Sequence, residues 1–212
     1  MLKKIFSREN VKGALKESIE TIVFVVVMVI IIRFFVGEIR WIPSSSMEPT
    51  LTIGDRLFVE RVTRFYKKPT RGDIVVFYPP MTELKNTPLK VFQRLTGFFC
   101  KDIAYIKRIV AKGGDKVEVK KVKDNKYKVV VNGEELKEDY ILNDFDYIEC
   151  NDEMYCGPMT VPQGHYFLLG DNRGNSQDSR FWGFLKEDRV IGRAVVIFWP
   201  LNRLRMLNDV KF

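Results

Sequence analysis

Histidine is almost absent from this chain, since the 212 residues contain only His165. A site that binds a metal through two or more histidines, such as the HExxH zinc site, is therefore excluded. Cysteine is also scarce: Cys100, Cys150 and Cys156 are the three in the chain, and no two of them form a C-x-x-C pair. This spacing gives no support to a zinc ribbon or a thioredoxin-like redox site. We therefore expect neither a metal nor another cofactor.

The sequence also lacks an internal repeat and any long amphipathic helical pattern. Its composition, 46% hydrophobic and 29% charged, is that of a folded protein and excludes a disordered one. The net charge of +8 suits either nucleic acid or an anionic membrane surface. Because the lysines are scattered and interleaved with Asp and Glu, we interpret this charge as a solvated basic surface and predict no nucleic-acid partner.

One apolar run, residues 19–36, follows an N-terminal segment 1–18 that carries five basic residues. Residues 22–32 contain no polar side chain at all, so the run has no polar face of the kind a buried core helix of a soluble protein would show. A cleaved signal peptide is disfavoured because no A-x-A site follows. We therefore predict an uncleaved transmembrane anchor at 19–36. The positive-inside rule then predicts that segment 1–18 is a basic cytoplasmic tail and that the rest lies outside.

Beyond the anchor the sequence has a β pattern. Several segments are rich in β-branched and aromatic residues or alternate apolar with charged ones: 55–62, 73–78, 116–122, 126–131 and 190–199. Asn132-Gly133 is the strongest short hairpin signal. We predict a mainly β fold, in which the N-terminal transmembrane helix precedes an antiparallel β core (37–115 and 161–212) with a hairpin-rich insert (116–160). No structure is predicted for residues 81–100.

Three short stretches interrupt this pattern: P-S-S-S-M-E-P-T-L at 43–51, Y-I-K-R-I-V at 105–110, and G-D-N-R-G-N-S-Q-D-S-R at 170–180. Taken singly, each has an ordinary interpretation. The first is typical of a polar turn, the second of a strand with a lysine on its wet face, and the third of a polar loop. No one of the three names a reaction.

In this order after an anchor, the three stretches resemble the signature boxes of the bacterial type I signal peptidases, also called leader peptidases. The resemblance covers the anchor and the core but not the insert or residues 81–100. It implies a membrane-bound serine endopeptidase that removes N-terminal signal peptides from secreted precursor proteins. It further implies precursors and membrane lipid as partners, and a single-pass protein of the bacterial cytoplasmic membrane with its catalytic domain on the outer face. The oligomeric state stays open.

The resemblance carries over residue by residue. It implies that Ser46 is the nucleophile and Lys107 the general base of a Ser-Lys dyad. The Ser44 hydroxyl and the Ser46 backbone N–H are implied to form the oxyanion hole. Three further residues are implied to support the dyad, the first by orienting the amine and the others as an ion pair: Ser176, Asp178 and Arg180. Many family members have glycine where this chain has Ser45, and a small residue should fit there.

The chemistry of these residue types agrees with that assignment. A serine hydroxyl is a poor nucleophile until a base takes its proton. A free lysine, with a pKa of about 10.4, is charged at neutral pH, but burial among apolar groups lowers that pKa. The apolar and aromatic neighbours of Lys107 in the 105–110 stretch supply such an environment if its side chain points inward. Arginine would not serve, because it does not lose its proton in a protein.

The resemblance also implies cleavage after small residues, which needs shallow apolar pockets. Residues beside the boxes are predicted to build them: Ile42, Met47, Leu51, Tyr105 and Ile106. Cysteines in an outside location are able to oxidise, and five residues separate Cys150 from Cys156. We predict a disulfide between them; the alternative is two free thiols. Cys100 is predicted to be a buried small hydrophobe in either case.

Two alternatives compete with this assignment. Self-cleaving repressors share the Ser-Lys chemistry and a related β core, but they carry a DNA-binding helix-turn-helix where this chain has an anchor. The other alternative is a non-enzymatic, membrane-tethered β module that binds an anionic partner. Penicillin-binding proteins are disfavoured because no serine in the chain has a lysine three positions on.

Overall fold

The computed structural model describes residues 8–96, 102–122, 127–141, 150 and 155–207. The chain divides into two compact units, Met1–Val36 with Asn86–Cys100, and Gly37–Lys85 with Lys101–Phe212. Cys100 and the end of the 81–100 segment lie outside the described residues.

The first unit is helical. Helix α1 spans Arg8–Ile31 and continues as a π-helical turn over Ile32–Val36, so part of the segment predicted as a tail is helical. Within the described residues, Lys12–Val36 is the one helical stretch long and apolar enough to cross a membrane, with a mean hydropathy of 2.7 over a window of 18 residues. At 1.5 Å per residue it measures roughly 37 Å, enough for a hydrocarbon core of about 30 Å.

The same unit contains a second helix that the sequence pattern did not predict. Helix α2 spans Pro88–Thr96. Proline at its first position removes an N–H that would be unpaired there in any case, and the Lys90 N–H is 3.4 Å from the Thr87 hydroxyl that caps it. The helix has nine residues. A helical pattern is recognised in sequence only over a window of about 11 residues or more.

The second unit is built from strands with short helical turns between them. Its strands in chain order are β1 (Gly37–Trp41), β2 (Arg56–Glu60), β3 (Ile74–Phe77), β4 (Tyr105–Lys112), β5 (Lys116–Lys121), β6 (Tyr127–Val131), β7 (Glu134–Glu135), β8 (Met159–Thr160), β9 (His165–Leu169), β10 (Leu185–Lys186), β11 (Val190–Trp199) and β12 (Arg205–Met206). Its helical segments are α3 (Ser179–Trp182) and the 3-10 turns Thr63–Phe65, Arg173–Asn175, Glu187–Arg189 and Leu201–Arg203.

These strands form two antiparallel sheets. The larger has the order β1-β2-β11-β3-β4-β9-β10, with β12 paired to β11, and the smaller has the order β7-β6-β5-β8. The predicted fold class is therefore confirmed. The smaller sheet comes from the predicted insert, 116–160, but both sheets belong to one compact unit, so the predicted domain boundaries remain a prediction.

Alternation along the strands decides which face each side chain buries. In β3, Ile74 and Val76 pack into one hydrophobic cluster with residues of β2 and β11, while Val75 and Phe77 pack into another with residues of β4 and β9. A strand that is buried on both faces lies at the centre of the sheet, and β4 pairs with it directly. The centre of the sheet, where β4 lies, is thus the part of the unit least exposed to solvent.

The smaller sheet covers one face of β4 and β9. Val117, Val119 and Val129 share a buried cluster with Phe167 and Leu169 of the larger sheet. The predicted hairpin is present between β6 and β7, where Asn132 and Gly133 have positive φ angles of 54° and 87°. Both central residues of a type I′ turn need positive φ, which explains the Asn-Gly pair.

Cys150 and Cys156 are joined by a disulfide. Cys156 is buried in the cluster between the sheets and Cys150 packs against it. The Val119 N–H donates to the Cys156 carbonyl at 2.7 Å, so the cross-linked loop is tied to β5. The disulfide therefore stabilises the smaller sheet, and neither of its cysteines belongs to a catalytic box.

We expect the double substitution Cys150→Ser with Cys156→Ser to lower the free energy of unfolding by about 2 kcal/mol, the loop-closure value for so short a loop. Its kcat should be unchanged, because neither sulfur belongs to a signature box. Thermal unfolding of both proteins checks the first statement. Thiol counting on denatured, unreduced protein should find one free thiol of the three cysteines, and three free thiols would contradict the disulfide.

Candidate active site

Ser46 lies in a hydrogen-bonded turn that follows β1. The Glu48 N–H donates to the Ser45 carbonyl at 3.0 Å, and the Leu51 N–H donates to the Met47 carbonyl at 2.9 Å. Met47 and Leu51 point from this turn into the hydrophobic core, where neither has any exposed surface. The turn is therefore anchored by its apolar side chains and holds Ser46 at a fixed height above the core.

Lys107 is the third residue of β4, where it is 4% exposed. Its Nζ atom lies 2.7 Å from Ser46 Oγ and 3.0 Å from the Ile106 carbonyl oxygen. The Tyr105 ring lies beside the amine, with its centroid 5.8 Å from Nζ. The structure thus brings together the two residues predicted as base and nucleophile, which are 61 positions apart in sequence.

Burial lowers the pKa of the Lys107 amine from 10.5 to about 8. Nearby charges change this value less: Asp178 and Asp171 raise the pKa, and Arg180 lowers it. Desolvation prevails because each carboxylate is already bound by an arginine, Asp178 by Arg180 and Asp171 by Arg108. The amine is therefore available in its neutral form near neutral pH.

The 170–180 segment holds the backbone on both sides of the nucleophile. The Asn172 N–H donates to the Ser46 carbonyl at 3.2 Å, and the Asn172 side-chain amide donates to the Ser45 carbonyl at 3.2 Å. The Asn175 amide donates to the Ser45 hydroxyl at 2.7 Å. The two peptide groups that flank the Ser46 Cα are thereby fixed in direction. Ser45, the position where glycine is common, has a partner of its own.

Asp178 and Arg180 form a bidentate ion pair with no exposed surface. Arg180 Nε donates to Asp178 Oδ1 at 2.9 Å and Arg180 Nη2 to Oδ2 at 3.0 Å. Burial alone would raise the pKa of Asp178, but the charge of Arg180 holds it below its usual value. The carboxylate also accepts the Gly170 N–H at 3.0 Å. The pair thus closes the 170–180 segment into a loop.

Ser176 is buried, but its hydroxyl makes no hydrogen bond to Lys107. It lies close enough to Asp178 to lower the pKa of that carboxylate, although the contact falls short of hydrogen-bond geometry. The amine is instead held by Ser46 and by the Ile106 carbonyl. The orienting contact predicted for Ser176 is therefore not made in this structure.

The Ser44 hydroxyl lies 3.4 Å from Ser46 Oγ, at the exposed side of the turn. A hydroxyl in this position is a donor beside the atom that would attack a carbonyl group. The structure therefore places the two predicted oxyanion-hole residues next to each other.

A depression of about 280 Å³ opens beside the dyad. Tyr105 and Ile106, two of the residues predicted to form the substrate pocket, line it. Ile42, Met47 and Leu51 do not, because they are buried in the hydrophobic core instead. The sequence analysis missed the other wall residues, which are Pro43 at the start of the first box, Ile103 and Ala104 just before the second, and Gln177 within the third. Ala104 lies three residues before Lys107, and this position was the signal from which its place in the wall could have been predicted.

A second buried ion pair joins the strand of Lys107 to the turn of Ser46. Arg108 Nε and Nη2 donate to the two oxygens of Asp171 at 2.9 and 2.6 Å, and Thr50 Oγ1 donates to Asp171 Oδ2 at 2.6 Å. No role was predicted for these three residues, although each stands inside a box. Arg108 directly follows the lysine, and a second consecutive cation in a buried strand was the signal for an internal ion pair.

The described residues contain no group of three or more His, Cys, Asp or Glu side chains that would hold a metal ion. His165 lies at the start of β9, where its Nδ1 is 3.0 Å from the Gln163 carbonyl, and it lines a different cavity from that of the dyad.

Comparison with known proteins agrees with this geometry. Residues 15–199 match the family described as signal peptidase, peptidase S26. Signal peptidase I of Leptolyngbya laminosa is 40% identical over 202 residues, covering 95% of this chain and 88% of the relative. Signal peptidase I T of Bacillus subtilis is 34% identical over 190 residues, covering 88% and 86%.

A crystal structure of a signal peptidase I from Enterococcus faecalis is 30% identical, with a TM-score of 0.40, covering 60% of this chain and 97% of that one. The family match spans most of the chain and includes the turn of Ser46, the strand of Lys107 and the 170–180 segment. The chain belongs to the signal peptidase family, peptidase S26, and is a serine endopeptidase with an N-terminal membrane anchor.

Proposed function

We propose that this chain removes N-terminal signal peptides from secreted precursor proteins, with Ser46 as nucleophile and Lys107 as general base. One observation carries the proposal: a buried lysine amine, with its pKa lowered to about 8, lies 2.7 Å from a serine hydroxyl at the edge of an apolar depression. A nucleophile within hydrogen-bond reach of a base of suitable pKa is the requirement for acyl transfer.

In the first step, Ser46 Oγ attacks the carbonyl carbon of the scissile peptide while the Lys107 amine takes the hydroxyl proton. The negative charge that develops on the carbonyl oxygen is stabilised by the Ser46 N–H and the Ser44 hydroxyl. Lys107 then gives its proton to the leaving amine, so the peptide bond breaks and an ester to Ser46 remains. A water molecule then attacks the ester carbonyl carbon while Lys107 takes one of its protons, and Lys107 passes this proton to Ser46 Oγ as the ester bond breaks and the acid product leaves.

The proposed orientation follows from charge. Five basic residues precede the centre of the apolar helix, which favours a cytoplasmic N-terminus and an external catalytic unit, at the outer face of a bacterial cytoplasmic membrane. The chain runs from Val36 to Ser46 in ten residues, so Ser46 lies within roughly 33 Å of the end of the helix. A signal peptide is cut just beyond its own apolar segment, which requires a nucleophile near the membrane surface.

The direct test is cleavage of a secretory precursor by the detergent-solubilised full chain beside its Ser46→Ala variant. We expect cleavage after the signal peptide by the wild type and none by the variant. Cleavage by both proteins would contradict the role of Ser46, and a folded wild type that cuts no precursor would contradict the function itself.

We expect kcat/KM to rise with pH through a midpoint of about 8, because only the neutral Lys107 amine accepts the Ser46 proton. Lys107→Arg should be inactive, since a guanidinium stays protonated at any pH of the assay. Lys112→Arg, an exposed lysine at the end of the same strand, is the matched control and should be fully active. A flat rate from about pH 6 to 10, or turnover by Lys107→Arg, would rule out the lysine base.

The same lysine should make stability depend on pH. Below pH 8 both folded and unfolded chains carry the proton, so the folded state bears the whole cost of a buried charge. From about 8 to 10.5 the unfolded chain binds more protons, so the free energy of unfolding rises with pH. Lys107→Met removes this titration, and we expect it to be more stable than the wild type by roughly 3 kcal/mol below pH 8.

This gain should shrink as pH rises and vanish near 10.5, the pKa of the amine in the unfolded chain. Unfolding of the full chain in detergent between about pH 6 and 11 measures it, with Lys112→Met as the control that should show no such difference. A gain that is constant across that range would contradict the lowered pKa of Lys107.

The depression beside the dyad should reject large side chains. Its walls are apolar and its volume, about 280 Å³, is small for a site that also holds peptide backbone. We therefore expect a precursor with Ala before the cut to be processed and the same precursor with Phe or Trp there to stay intact. The large side chain would overlap with wall atoms that are packed and unable to move aside. Efficient cleavage of the Phe precursor would contradict the assignment of this depression as the substrate pocket.

A further inference from the structure

Residues 136–141, which follow β7, form a short segment that we call the clasp; it lies against the catalytic boxes although none of its residues belongs to one. The Leu136 N–H donates to the Val129 carbonyl at 2.9 Å, and the Ile141 N–H donates to the Glu138 carbonyl at 3.1 Å. The first bond ties the clasp to the smaller sheet and the second closes it into a turn. Glu138 and Tyr140 extend from this turn towards two buried arginines.

Glu138 binds Arg173 through both carboxylate oxygens. Arg173 Nη1 donates to Glu138 Oε2 at 2.9 Å, and Arg173 Nη2 donates to Oε1. The Arg173 side chain is 1% exposed and the Glu138 side chain 7%. The pair is therefore desolvated, and removing the Glu138 charge would leave a buried arginine without its counter-charge.

Arg173 in turn holds the loop that lies on Ser46. Its Nε donates to the Gly170 carbonyl at 2.9 Å, and its own carbonyl accepts from Arg180 Nη2 at 2.7 Å. A Cβ atom on Gly170 would be 2.5 Å from the Ser46 carbonyl, so Gly170 is packed against the nucleophile backbone. One arm of the clasp thus runs from Glu138 through Arg173 and Gly170 to Ser46.

Tyr140 forms the second arm. Its hydroxyl donates to Glu138 Oε1 at 2.9 Å, and its ring lies 4.2 Å from the guanidinium carbon of Arg108. Burial raises the pKa of the Tyr140 hydroxyl, which keeps it a donor. Arg108 holds Asp171, and Asp171 accepts the Thr50 hydroxyl from the end of the Ser46 turn. A cation over an aromatic ring is attracted to it, so the ring restrains the guanidinium plane.

We propose that Glu138 and Tyr140 are positioning residues for the reaction at Ser46, acting through Arg173 and Arg108 to fix the nucleophile turn against the base. This proposal rests on the proposed function. Neither residue touches the dyad. The insert therefore contributes to catalysis by holding the 170–180 loop and the Ser46 turn at a fixed distance from each other, in addition to covering the hydrophobic core. Small displacements of a reacting group have large effects on rate.

The test compares Glu138→Gln and Tyr140→Leu with two matched variants in the full chain in detergent. Tyr140→Phe keeps the ring over Arg108 and loses the hydroxyl alone, and Glu134→Gln removes an exposed carboxylate of β7 that lies outside the clasp. Assays are run well below each variant's unfolding temperature, so a loss of stability alone does not reduce the folded fraction.

We expect kcat to fall about tenfold or more in Glu138→Gln and Tyr140→Leu with KM within about threefold of the wild type. Tyr140→Phe should recover most of the loss seen in Tyr140→Leu, and Glu134→Gln should match the wild type. Folded variants with kcat within about twofold of the wild type would overturn the proposal. A rise in KM with unchanged kcat would also overturn it, because the clasp would then bind substrate.

Amide hydrogen exchange gives a readout that needs no turnover. The amides of Leu51 and Asn172 are bonded to the Ser46 turn, and we expect them to exchange about fivefold faster or more in Glu138→Gln and Tyr140→Leu, but not in Glu134→Gln. Unchanged exchange would overturn the clasp while leaving the peptidase reaction standing. If the two variants exchange faster but the wild type cleaves no precursor, the clasp stands and the proposed function is contradicted.

Discussion

A lysine amine held out of water beside a serine hydroxyl is the constraint on which the rest of this structure depends. The amine must be dry enough to lose its proton, and yet it must border a depression that admits a peptide. Strand β4 meets both needs, because it lies between β3 and β9 at the centre of the sheet while its first residues line the depression. Lys107 is placed at the boundary, two residues into the strand, where the side chain is 4% exposed.

The fold limits the opposing effect of neighbouring carboxylates by pairing Asp178 and Asp171 with arginines, so that burial keeps the pKa of Lys107 lowered to about 8. An unpaired carboxylate beside Lys107 would raise the pKa of the amine and so lower the fraction that is neutral and able to accept a proton. Arginine suits this task because its planar fork binds both oxygens of a carboxylate and its charge does not titrate in the working range. The three buried pairs are Arg180 with Asp178, Arg108 with Asp171, and Arg173 with Glu138. Permanent charges are thereby cancelled locally, and burial is left to set the pKa of Lys107.

The sequence predicted the sheet and the dyad but not the details between them. Strand β11 has the predicted bounds, 190–199, because a long run of β-branched and aromatic residues has no helical alternative. The meeting of Ser46 and Lys107 followed from the boxes. The inward direction of Met47 and Leu51 did not, because both lie in an irregular turn, which has no strand or helix period to show which side faces the core. The missing Ser176 contact depends on a side-chain direction that no pattern encodes.

Close approach of backbone, rather than backbone freedom, explains Gly170. Its φ is not in the left-handed region, so another residue would adopt its conformation without strain. A Cβ atom there would nevertheless lie 2.2 Å from Ser176 Oγ and 2.5 Å from the Ser46 carbonyl oxygen, which real contacts do not reach. Any larger residue would push the loop away from the nucleophile turn and stretch the Asn172 bonds that hold it. Lys107 is fixed by the sheet, and Ser46 is fixed in part by this loop. The 2.7 Å separation of base and nucleophile therefore requires a residue without a side chain at position 170.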